Sequence, residues 1–124
     1  DIEKREPEKQ AAYRVIVDLY KERVAASPDT VANYTELELY LSLGNRREEA
    51  IPICEKILEL TDAPSCRQYE SYADHLFAVG RIADALPLYE KLVSLSDQTI
   101  DAYSIHSAQR IIAKITDALG QQQS

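Results

Sequence analysis

The feature that most constrains this 124-residue chain is a pattern that occurs twice, 35 residues apart. Segments 49–60 and 84–95 share alanine, proline, glutamate and lysine in the same register. One supersecondary unit of this length cannot bury its apolar face alone, so we expect the two copies to be stacked structural repeats. Upstream, the aromatic and aliphatic positions also align: Tyr34, Leu37 and Leu41 with Tyr69, Tyr72 and Leu76.

Each copy predicts two amphipathic helices joined by a short turn. Apolar residues recur at intervals of three and four, as at Leu37 and Leu41, which is the period of a half-buried helix. The pattern breaks at 43–46 and at 79–81, where glycine can adopt the left-handed conformation that ends a helix. Gly44 predicts a first turn that is one residue longer than the second. Each copy is therefore a predicted helical hairpin.

Further helices are expected before and after the two copies. Segment 8–26 has apolar residues on two sides and predicts a long helix with a broad apolar surface. Segment 99–119 has one apolar side and one polar side, as a capping helix requires. The charged first residues and the tail 120–124 have little to bury, and we expect them to fray. The predicted helices are 8–26, 31–44, 47–61, 65–79, 82–95 and 99–119.

The second copy resembles the tetratricopeptide repeat (TPR) family, whose unit is two helices in about 34 residues. Within the second copy, only Leu92 departs from the family's motif, at a position where the family prefers alanine. The first copy is looser, because Glu38 replaces a small residue, Asn45 aligns with the turn glycine and Cys54 replaces an aromatic residue. The matching positions of the second copy are Tyr69, Tyr72, Ala73, Leu76, Gly80, Ala85, Tyr89 and Asp97.

The resemblance implies an all-α fold, a right-handed α-α superhelix of helical hairpins with about six helices. It implies a half repeat at 8–26, full repeats at 31–61 and 65–95, and a capping helix at 99–119, within a single domain 1–124. Because the chain begins at Asp1 without a methionine, we expect a fragment of a longer protein. The implied function is a scaffold or adaptor that binds a peptide or helix of a partner protein on its concave face.

A binding face follows if the repeated aromatic and aliphatic positions point inward. Leu39 and Phe77 would then be exposed apolar anchors, unless the terminal helix covers them. Family members that hold acidic chaperone tails carry lysine, asparagine and arginine in this groove, so the resemblance disfavours that ligand class. An acidic and apolar groove instead suits a basic and apolar partner. The predicted groove residues are Thr35, Leu39, Ser42, Arg67, Glu70, Asp74 and Phe77.

Charge and cysteine content narrow the choice of partners and compartment. Fourteen Lys and Arg stand against 21 Asp and Glu, and a net charge of −7 repels nucleic acid and anionic membrane surfaces. No apolar run approaches the roughly 20 residues of a membrane span. Cys54 and Cys66 suit the core of a protein in a reduced compartment better than a disulfide scaffold. We therefore expect a cytoplasmic protein with a protein partner.

Catalysis and metal binding receive little support from the sequence. Glu70 and Asp74 lie four residues apart, so their carboxylates could converge on a cation or a reacting group, but a solvated acidic face is the favoured reading. His75 points about 100° away from Asp74, and no serine or cysteine is placed as a nucleophile beside it. The two histidines and two cysteines lack metal-ligand spacing. We predict no catalytic residue, no metal and no cofactor.

Self-association is the main alternative function. The first predicted helix carries a second apolar stripe, which could be an exposed repeat end that pairs with another copy to form a homodimer. A regulatory helical domain of a larger protein, or an enzyme that uses the acidic pair, also stays open. The candidate self-association residues are Tyr13, Tyr20 and Val24.

Overall fold

A computed structural model describes the backbone of residues 2–123 and the side chains of residues 5–122. This part of the chain forms helices and no strand, and none of its helices is apolar over a length that could cross a membrane. The predicted all-α fold of helical hairpins is confirmed. The helices are α1 (Ile2–Ala26), α2 (Val31–Leu43), α3 (Arg47–Leu60), α4 (Cys66–Ala78), α5 (Ile82–Leu95) and α6 (Ala102–Gln123).

The helices group into two compact units. Unit 1 is Asp1–Thr61, where α2 packs against both α1 and α3. Unit 2 is Asp62–Ser124, where α5 packs against both α4 and α6. Each unit therefore contains one copy of the sequence repeat as a hairpin, together with one additional helix.

The core of unit 1 joins its three helices. Val17 of α1, Leu37 and Leu41 of α2 and Ala50 of α3 form one buried cluster. Leu37 and Leu41 are four residues apart, so α2 turns one apolar face toward the other two helices. Full burial of one such aliphatic side chain contributes about 2 kcal/mol. The predicted inner positions of α2 are thus confirmed as core.

The core of unit 2 is built in the same way around α5. Tyr89 and Leu92 of α5 are fully buried, and Leu76 of α4 and Ile115 of α6 are buried with them. The remaining inner positions predicted for α4, Tyr69 and Tyr72, are only half-buried.

The two hairpin turns have the same geometry. In each, a residue of positive φ lies two positions after the end of the helix, and two amides beyond the helix donate back to carbonyls of its last turn, which is the Schellman arrangement. In α2 the amide of Arg46 donates to the Leu41 carbonyl (2.8 Å) and that of Asn45 to Ser42 (3.0 Å). In α4 the corresponding bonds run from Arg81 to Leu76 (2.9 Å) and from Gly80 to Phe77 (3.1 Å).

The left-handed position of the first turn belongs to asparagine, not glycine. Asn45 has φ 58° and Gly80 has φ 89°, whereas Gly44 has an ordinary φ of −83°. Asparagine tolerates this conformation because its short polar side chain can hydrogen-bond locally. The prediction of a longer first turn is therefore wrong.

Several helix ends differ from their predicted positions. Helix α1 begins at Ile2 and continues through Pro7, and α6 runs on through Gly120 to Gln123, so both exceed the segments expected from apolar content. Helix α6 begins at Ala102, three residues later than predicted, because Asp101 caps it by accepting the Ser104 amide (2.8 Å).

Besides Pro7, each hairpin has one proline inside its second helix. Pro52 of α3 and Pro87 of α5 are both exposed, and both helices continue through them. Each removes one amide from the helical ladder. Because the prolines face solvent, the carbonyls that lose a partner can be hydrated, and the helices tolerate them.

Candidate functional site

The predicted groove residues of unit 1 lie on one face of α2. Thr35 and Leu39 are exposed, Leu39 by 43%, and Ser42 is half-buried. The hydroxyl of Thr35 donates to the Val31 carbonyl (3.1 Å) and that of Ser42 to the Glu38 carboxylate (3.4 Å). Both hydroxyls are thus used within α2, and the side chain that this face offers to a partner is Leu39.

Two of the predicted groove residues of unit 2, Glu70 and Asp74, line a small cleft, whereas Arg67 and Phe77 do not border it. Glu70 and Asp74 of α4 form one side of it, and α6 forms the other. The cleft has a volume of about 100 Å³, well below the roughly 300 Å³ at which pockets for drug-sized molecules begin. It has room for one side chain of a partner. Its remaining lining residues are Tyr89, Tyr103, Ser104, Ser107, Ala108 and Ile111.

The ionised form of Glu70 is disfavoured in this cleft. Burial raises its pKa, and the negative charges of Asp74 and Asp101 raise it further. Arg67 and a hydrogen bond with Ser104 act in the opposite direction without cancelling the shift. A carboxylate whose charged form is disfavoured in this way is stabilised by a cation placed beside it.

Asp74 is held in place by a buried tyrosine. The hydroxyl of Tyr89 donates to Asp74 Oδ1 over 2.5 Å, while the Tyr89 ring is fully buried. The ring of Phe77 packs edge-on against Tyr89 at 6.4 Å and stays 37% exposed. Tyr89 therefore positions both an acidic and an aromatic groove residue. His75 is buried and does not line the cleft.

The α6 side of the cleft was missed by the sequence analysis. Tyr103 is 73% exposed, the most exposed large apolar side chain of the described residues. Tyr103, Ser107 and Ile111 are spaced by four, so they share one helical face. That spacing is visible in the sequence, but the pattern of segment 99–119 by itself predicts only a capping helix.

A loop fastens the start of α4. Asp97 accepts the Cys66 amide (2.9 Å), and Thr99 accepts the Arg67 amide (3.0 Å). The pKa of Asp97 falls to about 2, first because of the Thr99 hydroxyl and then because of the Cys66 amide. The side chain of Arg67 itself is exposed, so a partner can reach its charge at the start of α4.

Both cysteines are free and buried. Burial raises the pKa of Cys54, and the charges of Glu38 and Glu55 add to it. Burial also raises the pKa of Cys66, whose thiol donates to the Leu92 carbonyl (3.2 Å) and accepts the Asp97 amide (3.3 Å). Both are therefore protonated thiols at neutral pH, which are poor nucleophiles.

The candidate self-association residues pack toward α2. The ring of Tyr20 stacks on Tyr40 at 5.9 Å, Tyr13 lies 6.4 Å from the same ring, and Val24 packs on the unit 1 core. The structure places all three as half-buried residues. Among the described side chains of α1, the large apolar ones that are exposed are instead Val15 (69%) and Leu19 (44%).

Comparison with solved structures identifies the fold. The chain is similar to a TPR2B-domain:pHsp70 complex of yeast Sti1, with a TM-score of 0.67 and 20% sequence identity, over 92% of this chain and 90% of that chain. At this identity the likeness establishes a TPR-like fold and nothing about ligands. No protein-family profile and no curated protein matches the chain.

Proposed function

We propose that this chain is a protein-interaction module that binds a peptide or helix of a partner protein and performs no chemistry. The TPR-like fold supports this class of function. The observation that carries the proposal is the unit 2 cleft, where Glu70 and Asp74 lie side by side, and where burial and then the charge of Asp74 raise the pKa of Glu70. Stability alone gives no reason to keep a carboxylate there, whereas binding of a cation does.

The partner segment presents basic and apolar side chains. A lysine or arginine enters the cleft between Glu70 and Asp74, where its charge relieves the repulsion between the two carboxylates. The exposed ring of Tyr103 provides a surface for the stem and for a cation–π contact. An apolar side chain next to the cation packs against Phe77.

Unit 1 provides a second surface for the partner segment, on the exposed face of α2. Thr35, Leu39 and Ser42 are displaced by the repeat length of 35 from Glu70, Asp74 and Phe77, so equivalent positions of α2 and α4 serve binding. We propose further that the two units act as one repeat domain within a longer cytoplasmic protein.

Selection from a phage-displayed library of random dodecapeptides tests the binding proposal. We expect enrichment of peptides that combine lysine or arginine with apolar residues. Glu70→Gln and Phe77→Ala should abolish capture of the selected peptides, while circular dichroism stays unchanged. Glu90→Gln, a matched substitution at an exposed position of α5, should bind as the parent does. Enrichment of acidic peptides, or equal binding by all variants, would refute the proposal.

Self-association is a second candidate, favoured by one observation. Val15 and Leu19 lie one helical turn apart on the exposed side of α1, and adjacent exposed apolar side chains of this kind are typical of an interaction surface. Light scattering over a dilution series measures the mass of the chain. A mass that doubles with concentration and returns to that of a monomer in Val15→Glu would support pairing through this face, and a constant monomer mass would exclude it.

A further inference from the structure

Unit 1 contains a larger cleft that the groove prediction does not include. Helix α1 has 25 residues and α2 has 13, so α1 continues past the C-terminal end of α2. The space left beside that end has a volume of about 390 Å³, which lies within the range of small-ligand pockets. It is lined by Gln10, Tyr13, Arg14, Val17, Asp18, Tyr40, Gly44 and Arg46.

The interior of this cleft suits an aromatic ring. The rings of Tyr13 and Tyr40 both line it, with centroids 6.4 Å apart and planes tilted by 43°, and aromatic side chains pack favourably against a further ring. Fully buried Val17 adds an apolar surface. Gly44 leaves space, because a Cβ atom there would come within 3.7 Å of Tyr13 Cβ and 3.2 Å of the Tyr40 carbonyl oxygen.

The charges at the rim of the cleft are not balanced. Arg46 donates a 2.8 Å hydrogen bond from Nη2 and a second from Nε to Glu49, which also pairs with Lys21 at 3.6 Å. The pKa of Arg46 is raised first by these hydrogen bonds, and the charges of Glu49 and Asp18 contribute further. Arg14 forms no ion pair with any side chain that the structure describes. The rim therefore has one cation to offer to a ligand.

We infer that this cleft is a second binding site, for a partner segment that inserts an aromatic side chain next to a carboxylate. The ring packs against the exposed edges of Tyr13 and Tyr40, and the carboxylate pairs with Arg14. Its chemistry is opposite to that of the acidic unit 2 cleft, so the two sites bind different segments. The inference does not depend on the function proposed for unit 2.

N-acetyl-L-phenylalanine is the probe that tests this site, because it joins an aromatic ring to one carboxylate. Titration into the ¹⁵N-labelled chain should shift the amide signals of Tyr13, Val17 and Gly44. The neutral N-acetyl-L-phenylalaninamide should shift the same signals with about fivefold weaker affinity, which is the size expected for one partly exposed ion pair. Acetate alone should leave these signals unchanged, because it lacks the ring.

Two variants separate the ring site from the charge. Arg14→Gln should reduce the affinity for N-acetyl-L-phenylalanine to that for the amide, without changing the affinity for the amide. Gly44→Val should abolish binding of both probes by filling the cleft, with helicity checked by circular dichroism. Arg110→Gln, the same charge change on α6, should leave both affinities unchanged. Equal affinities for the two probes, or signal changes confined to unit 2, would overturn the inference.

Discussion

The two hairpins share their turns and differ in their faces. Both turns have the same pair of backbone hydrogen bonds, and both are followed by an ion pair three residues apart, between Arg46 and Glu49 in unit 1 and between Arg81 and Asp84 in unit 2. The exposed positions of the first helices do not match: Thr35, Leu39 and Ser42 stand where unit 2 has Glu70, Asp74 and Phe77. The two copies therefore share the backbone hydrogen bonds and ion pairs of the turn, whereas the exposed side chains that could contact a partner differ.

The two hairpins also differ at a buried position of their second helices. Tyr89 of α5 spans from the core to Asp74, whereas the equivalent residue of α3 is Cys54, whose short thiol is buried. Unit 2 therefore positions its exposed acid from within, and the equivalent exposed residue of unit 1, Leu39, requires no such support. A single core position thus couples the interior of a hairpin to the polarity of its face.

The core is where the units should respond most strongly and most alike. Leu41→Ala and Leu76→Ala remove equivalent residues that are each 1% exposed. Each should lower the free energy of unfolding by about 3 kcal/mol, through lost burial and the cavity left behind. Urea unfolding followed by circular dichroism measures both. A difference of more than about 2 kcal/mol between them would show that the two cores are not equivalent.

The turns should respond in opposite directions. Gly80→Ala puts a Cβ on a residue with φ 89° and should cost about 1 to 2 kcal/mol. Asn45→Gly replaces a tolerated residue by the preferred one and should be neutral or slightly stabilising. Thermal unfolding of both variants distinguishes these outcomes. A large loss in Asn45→Gly would mean that the asparagine side chain has a role beyond accepting a left-handed backbone.

The helix starts provide a finer contrast. Ser65 and Gln68 form a reciprocal capping box at the start of α4, whereas Thr30 makes no side-chain capping bond to α2. Ser65→Ala should cost about 1 kcal/mol, and Thr30→Ala clearly less. Chemical unfolding of the two variants is the measurement, and equal losses would contradict the assignment of the cap.

The smallest effect should have the opposite sign. The pKa of Glu70 is raised in the folded chain, so its ionised form costs stability, and this cost appears as pH rises above the ordinary glutamate range. Glu70→Gln should stabilise unit 2 at neutral pH by less than about 1 kcal/mol, because solvent screens a partly exposed group. The gain should vanish near pH 4. A loss of stability at neutral pH would indicate that the carboxylate serves the fold.

Periodicity was sufficient to predict the fold but not its details. The spacing of Leu37 and Leu41 identifies a buried face, and the 35-residue offset identifies two hairpins; both follow from local geometry alone. Periodicity could not decide which of the two apolar stripes of α1 is covered, because that depends on how α1 is rotated against α2. Tyr13 and Tyr20 consequently face Tyr40, and Val15 and Leu19 face outward.

The candidate site was predicted only from one side. The register of α4 predicts Glu70, Asp74 and Phe77 as groove residues; Glu70 and Asp74 line a cleft, and Phe77 is exposed. Tyr103 and Ser104 belong to α6, and nothing in a single helix pattern shows which neighbouring helix completes a cleft. Their role in binding, like that of the other groove residues, remains a prediction.

The burial of one thiol in each unit has a practical consequence. Cys54 lies within unit 1 and Cys66 within unit 2, enclosed by the Leu92 carbonyl and the Asp97 amide. A thiol-specific reagent can reach either sulfur only when the surrounding helices separate. The labelling rates of single-cysteine variants therefore report separately on the opening of unit 1 and of unit 2. A ligand that slows the labelling of only one cysteine binds to the unit that contains it.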